Sequence, residues 1–110
     1  MIEILQNKAN LDKIEFNATE KGECLGRCAG TMQGDTFVFD ELECDEFFVD
    51  GLVRALLNLL DLKGIEKARF DFDEGETLAS LRRWGFVKNA EKTIDNIAAF
   101  FDENKNCTKF

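Results

Sequence analysis

With 110 residues and a mass of 12.5 kDa, the chain is near the modal domain size, and its 45% apolar and 33% charged residues are a globular composition. Fourteen Lys and Arg against 22 Asp and Glu leave a net charge of −8, which repels phosphate backbones and argues against a nucleic-acid partner. The absence of His and Tyr removes any His-dependent triad, any His-based metal site and any Tyr general acid.

Taken in chain order, Ile2 and Ile4 flank Glu3 and predict a short opening strand. From Lys13 to Thr19 the alternation is clean, with Ile14, Phe16 and Ala18 on one side and Lys13, Glu15, Asn17 and Thr19 on the other. Glu20-Lys21-Gly22-Glu23 reads as a hairpin turn, and a second strand spans Cys24 to Thr31. Within it, Gly26 and Gly30 mark a bulge or a close backbone approach. After the turn Gln33-Gly34-Asp35, Thr36 to Leu42 is a third strand whose Phe37, Val38 and Phe39 predict burial on both faces. The expected result is an antiparallel meander.

Helical periodicity follows. Leu52, Leu56, Leu59 and Leu60 lie at helical spacing within Phe47 to Lys63, and Gly64 suits the left-handed cap. Ala68, Phe70 and Phe72 then alternate with Lys67, Arg69, Asp71 and Asp73 as a strand. Strand, helix, strand in this order predicts a right-handed crossover joining two parallel strands. Thr77 to Trp84 reads as a short helix stopped by Gly85, and Phe86-Val87 as a final strand. Ile94, Ile97, Ala98 and Phe101 mark a closing helix over about 90–103, with 104–110 a frayed tail. The expectation is one α+β domain over 1–110: a meander, a central crossover helix, a parallel strand, and one or two C-terminal helices.

No uncharged apolar stretch approaches the ~20 residues of a membrane span, and the acidic start lacks the basic and apolar regions of a secretory signal. The expected location is cytoplasmic, with Cys24, Cys28, Cys44 and Cys107 as free thiols packed like small hydrophobes rather than a disulfide or metal framework.

The order of elements resembles the GNAT (Gcn5-related N-acetyltransferase) superfamily, in a short and degenerate form. The similarity runs from about Lys13 to Asn89. It is carried most specifically by Leu78-Ala79-Ser80-Leu81-Arg82-Arg83-Trp84-Gly85-Phe86, which looks like the family's short helix ending in Gly-Phe. The segment from Gly64 to Phe70 is similar to the turn and strand that precede that helix. Between the first two strands, where the family usually carries two helices, this chain has only a turn.

The resemblance implies that acetyl-CoA lies where the strand before the long helix splays from the next. There, backbone N–H groups of an Arg/Gln-x-x-Gly-x-Gly/Ala loop hold the pyrophosphate. Such a cradle is physically sound, because unpaired N–H donors and the positive end of the helix dipole attract anions. On this chain the loop falls on Phe48, Val49, Asp50, Gly51, Leu52 and Val53, of which Gly51 alone matches the glycine pattern. Leu81 stands where the family usually has Tyr, and Glu74 where it often has Asn. Seven acids and no Lys or Arg lie from Asp35 to Val53. Among them Glu41 and Glu43 are the candidate general bases toward an amine substrate, beside a plainer reading in which the acids near the helix start complement its dipole. No metal is implied.

Three functional readings follow. The first is an acyl-CoA-dependent N-acetyltransferase, and the second a catalytically inactive GNAT-fold module for binding or dimerisation. The third, distant, is a cysteine metal or redox protein. Phe47 and Phe48, at the cleft mouth, are expected either to fill it or to offer a homodimer contact.

Overall fold

The structure, a computed structural model, describes residues 3–7, 13–73, 75–87 and 91–107, with backbone alone at 7 and 103–107. Apolar alternation produces β1 (Glu3–Asn7), β2 (Lys13–Glu20), β3 (Glu23–Gln33) and β4 (Thr36–Cys44). They pair antiparallel in sequence order. Helix α1 (Glu46–Leu62) crosses to β5 (Lys67–Phe70), which pairs parallel with β4 from Thr36↔Lys67 to Phe39↔Phe70. Helix α2 (Glu76–Arg83), a two-residue strand β6 (Thr93–Ile94) antiparallel to β5, and helix α3 (Ile97–Cys107) complete the order.

The predicted long helix is present, beginning at Glu46 and stopped by Gly64, whose φ of +80° suits a residue without a Cβ. Gly30 sits too close to β4 for any side chain, since a Cβ there would collide with the Val38 carbonyl oxygen and the Phe37 ring. Three elements differ from expectation, one of them β5, which stops at Phe70 rather than running on to Asp73. Phe86 and Val87 are buried but form no strand; the sixth strand is Thr93–Ile94. The closing helix starts at Ile97 and runs to Cys107, so Ile94 belongs to β6 and Ala98 is exposed. The expectations at Ile2, Glu74, Asn89 and 108–110 lie outside the described residues.

All three helices contribute to a core on one side of the sheet. Ala18, Cys28, Phe37, Phe39, Ala68 and Phe70 face Val49, Leu52, Val53, Leu56, Leu57 and Leu60 of α1, together with Leu78, Leu81, Ile97 and Phe100. Stacked Phe39 and Phe70, 4.5 Å between centroids, tie the meander to β5. Strand alternation sends Lys13, Arg27, Glu41 and Glu43 to the opposite face, where Glu41 pairs with both Lys13 and Arg27.

Candidate functional site: the splay between β4 and β5

Two local features open β4 away from β5. The parallel ladder reaches only Phe39 and Phe70, with one further bond from the Asp71 N–H to the Phe39 carbonyl at 2.8 Å. Asp40 is then the extra residue of a β-bulge, because Phe39 faces Gly30 while Glu41 faces Ala29. From Asp40 to Cys44 the strand pairs with β3 alone, leaving its other edge toward α2. Asp45 follows as a single extended N-cap residue whose side chain makes no cap bond, and α1 begins.

Among the described residues, a hollow of about 70 Å³ is lined by Leu42, Cys44, Val49, Glu76, Thr77 and Ser80. Ligand pockets for drug-sized molecules are usually ~300 Å³ or more. Glu46, on the first turn of α1, ties to Ser80 beside this hollow. Its Oε1 accepts from the Ser80 hydroxyl at 3.1 Å and from the Arg83 guanidinium, and Arg83 also donates to Ser80 Oγ and Glu76 Oε1, both at 3.0 Å. The Arg83 hydrogen bond, then that of Ser80, holds the Glu46 carboxyl below its ordinary value. Phe47 is 88% exposed, and Phe48 packs partly buried against the core. A polar network between α1 and α2 stands beside this hollow, where the sequence suggested Phe47 and Phe48.

Each residue expected at the site has a definite place. Phe48 to Val53 lie within α1 rather than in a loop before it. The Phe48 N–H bonds the Asp45 carbonyl at 2.9 Å, and N–H groups deeper in a helix bond carbonyls four residues back. Val49, Leu52 and Val53 are core residues, and the Asp50 carboxylate accepts from Arg54 at 2.8 Å. Gly51 lies against β1: a Cβ on it would stand 2.7 Å from Ile4 Cδ1. The N–H groups of Glu46 and Phe47, which precede the first intrahelical donors, are the ones a helix start leaves for an anion.

Glu41 and Glu43 are on the sheet face away from α1. Glu41 is held below the ordinary carboxylate value, first by the Lys13 hydrogen bond and also by the charges of Lys13 and Arg27. Glu43 is exposed, 3.6 Å from Arg27. A general base working near neutrality needs a pKa displaced upward, the reverse of the shift at Glu41. Cys44 is pushed up to about 11 by burial and by the charge of Asp45, away from thiolate chemistry. Cys28 is buried, Cys24 is exposed, and both are free thiols. Among the described residues, no three His, Cys, Asp or Glu side chains are grouped to hold a metal, and no helix is long and apolar enough to cross a membrane.

The tie among Glu46, Ser80 and Arg83 was not anticipated. Its only sequence signal was two basic residues ending a short helix, which also suit the helix dipole.

No family model and no curated protein matches the sequence. Solved structures do resemble it. A probable acetyltransferase of Staphylococcus epidermidis has a TM-score of 0.61 at 13% identity, over 72% of this chain and 55% of that one. The IAA acetyltransferase of Bacillus cereus has a TM-score of 0.59 at 13% identity, over 77% and 75%. The PaiA N-acetyltransferase of Thermoplasma acidophilum, solved in complex with coenzyme A, has a TM-score of 0.59 at 12% identity, over 79% and 61%. The chain thus spans between about half and three quarters of the length of these structures. The fold is GNAT-like: a mixed six-stranded sheet with one parallel pair and three helices.

Proposed function

We propose that this chain uses the GNAT-like scaffold as a non-catalytic binding module. The observation that carries this reading is the tie from Glu46 to Ser80 and Arg83, which joins α2 to the start of α1 beside a hollow of about 70 Å³ against β4. The same tie places a carboxylate at the helix start that would have to receive a diphosphate. Arg83, the cation beside it, is already engaged by two carboxylates. Like charges ~4 Å apart repel by about 1 kcal/mol in water and by more where solvent is excluded.

A second reading is favoured by one specific feature, the edge of β4 at Asp40–Cys44 turned away from β3, which pairs with no strand among the described residues. It is the N-acetyltransferase reading, with acetyl-CoA held by backbone N–H groups at the start of α1, from the Phe48–Val53 segment outward. Glu41 or Glu43 then serves as base toward an amine. This reading requires α2 to move off Glu46 and the carboxylates on the far face to be reached by the acceptor.

A thermal-shift titration of the whole chain with acetyl-CoA and with free CoA separates the two. A ligand that binds only the native state adds about 2.7 kcal/mol at 100 times Kd, a plainly visible shift. The module reading predicts no saturable shift at millimolar ligand. A saturable shift would overturn it in favour of the enzyme.

A further inference from the structure

We propose that the hollow between Phe86 and the start of α3 binds a small organic ammonium ion. Its apolar body lies against the paired rings of Phe86 and Phe100, and its cationic head meets Glu91 and Asp95. None of the described lining residues is shared with the hollow beside β4, so the inference stands whatever that splay takes.

The hollow measures about 270 Å³, just under the ~300 Å³ at which pockets for drug-sized ligands begin, and so suits a smaller molecule. Its floor is Phe86, Val87, Ile94 and Phe100, all buried. Phe86 and Phe100 stack with centroids 5.5 Å apart and planes 21° apart. This ring pair already holds one cation, since Arg54 Cζ lies 5.5 Å from the Phe86 centroid and 5.9 Å from that of Phe100. Arg54 is neutralised by Asp50 at 2.8 Å and is not among the described lining residues.

Charge decides which head group enters. Glu91 and Asp95 line the hollow, are exposed, and have no hydrogen-bond or ion-pair partner among the described residues. No Lys or Arg is among the described lining residues. Lys92, next to Glu91 in the chain, donates instead to the Phe72 carbonyl at 2.9 Å. An anion finds few donors here, although α3 starts beside the hollow. The Ile97 N–H is spent on the Glu66 carbonyl at 2.8 Å, and the Ala99 N–H on Asn96 Oδ1 at 3.0 Å. A metal ion is no better served, because no three His, Cys, Asp or Glu side chains are grouped among the described residues. Two unpaired carboxylates above an aromatic floor favour an organic cation, whose body covers ring surface while its head meets charge. The net charge of −8 draws such a cation in.

The test is a ¹H–¹⁵N titration of the full chain with 2-phenylethylammonium, in about 0.15 M salt to screen unspecific attraction. Its neutral and anionic counterparts, 2-phenylethanol and phenylacetate, are titrated in parallel. The ammonium is expected to give saturable shifts at millimolar concentration, centred on the amides of Gly85–Val87 and Glu91–Phe100. The alcohol should bind about tenfold more weakly or worse, and phenylacetate should not saturate. Glu91→Gln combined with Asp95→Asn should weaken the ammonium by about tenfold and leave the alcohol unchanged. No saturable shift with millimolar ammonium, an alcohol that binds as tightly, or shifts centred on Asp40–Phe48 overturns the proposal. So does a double variant that binds the ammonium as tightly as wild type. Should that variant fail to fold, the comparison of the three probes decides alone.

Discussion

The Glu46 carboxylate on the first turn of α1 accepts a hydrogen bond from the Arg83 guanidinium on the last turn of α2. The pair lies at the start of α1 and adds to the buried Leu78 and Leu81, which seat α2 in the core. It has a pH signature. Because Arg83 and then Ser80 hold Glu46 below its ordinary 4.5, the contribution is complete above about pH 4.5 and is lost as pH falls through the lower folded value. Arg83→Ala should return the Glu46 titration toward 4.5, read by NMR of its side-chain carboxyl, and flatten the acid limb of the stability profile. A Glu46 titration unmoved by Arg83→Ala would show that the contact does not hold in solution.

The thiols should react in an order set by burial and charge. Cys24 is exposed, while Cys44, at about 11 against an ordinary 9.0, presents roughly a hundredfold less thiolate at pH 8 than an unperturbed thiol. Cys28, fully buried and pushed well above its ordinary value by that burial, should follow last. Peptide mapping after timed iodoacetamide treatment checks the order Cys24, Cys44, Cys28; early labelling of Cys44 would mean that the splay opens readily.

Much of the fold was legible because its signals are periodic. Ile14, Phe16 and Ala18 alternate cleanly, and Leu52, Leu56, Leu59 and Leu60 together recur at helical spacing ahead of Gly64. Phe86-Val87 misled because a two-residue apolar run looks the same whether it forms a strand or simply plugs a core, as it does here. The site was less legible. Which face Glu41 takes depends on the bulge at Asp40, and Gly51 matched a phosphate-loop pattern while serving helix–strand packing under Ile4. Neither bulge position nor packing neighbour has a one-dimensional signature.

The junction between the meander and β5 rests on a short strand, so it should be sensitive to truncation. Phe70→Ala removes a fully buried ring stacked on Phe39 and should cost about 3–5 kcal/mol in urea unfolding. Leu62→Ala, at a side chain 77% exposed, should stay within about 0.5 kcal/mol. Similar costs at the two positions would contradict the packing described.

Gly51→Ala distinguishes a packing glycine from a binding one. Replacing Gly inside a helix gains about 0.5–1 kcal/mol, against the cost of swinging the Ile4 tip away from a Cβ that would stand 2.7 Å from it. The expected net change is a stabilisation of up to about 0.5 kcal/mol in urea unfolding. A loss beyond about 1.5 kcal/mol would mean that Ile4 is locked in place.

The account turns on whether the splay beside β4 admits a coenzyme, and amide shifts read that directly. In a ¹H–¹⁵N titration of the full chain with acetyl-CoA, the account predicts that the amides from Asp40 to Phe48, and those of Ser80 and Arg83, stay in place at millimolar ligand. Saturable shifts concentrated in those residues would contradict it, by showing that the bond between Glu46 and Arg83 gives way to a ligand.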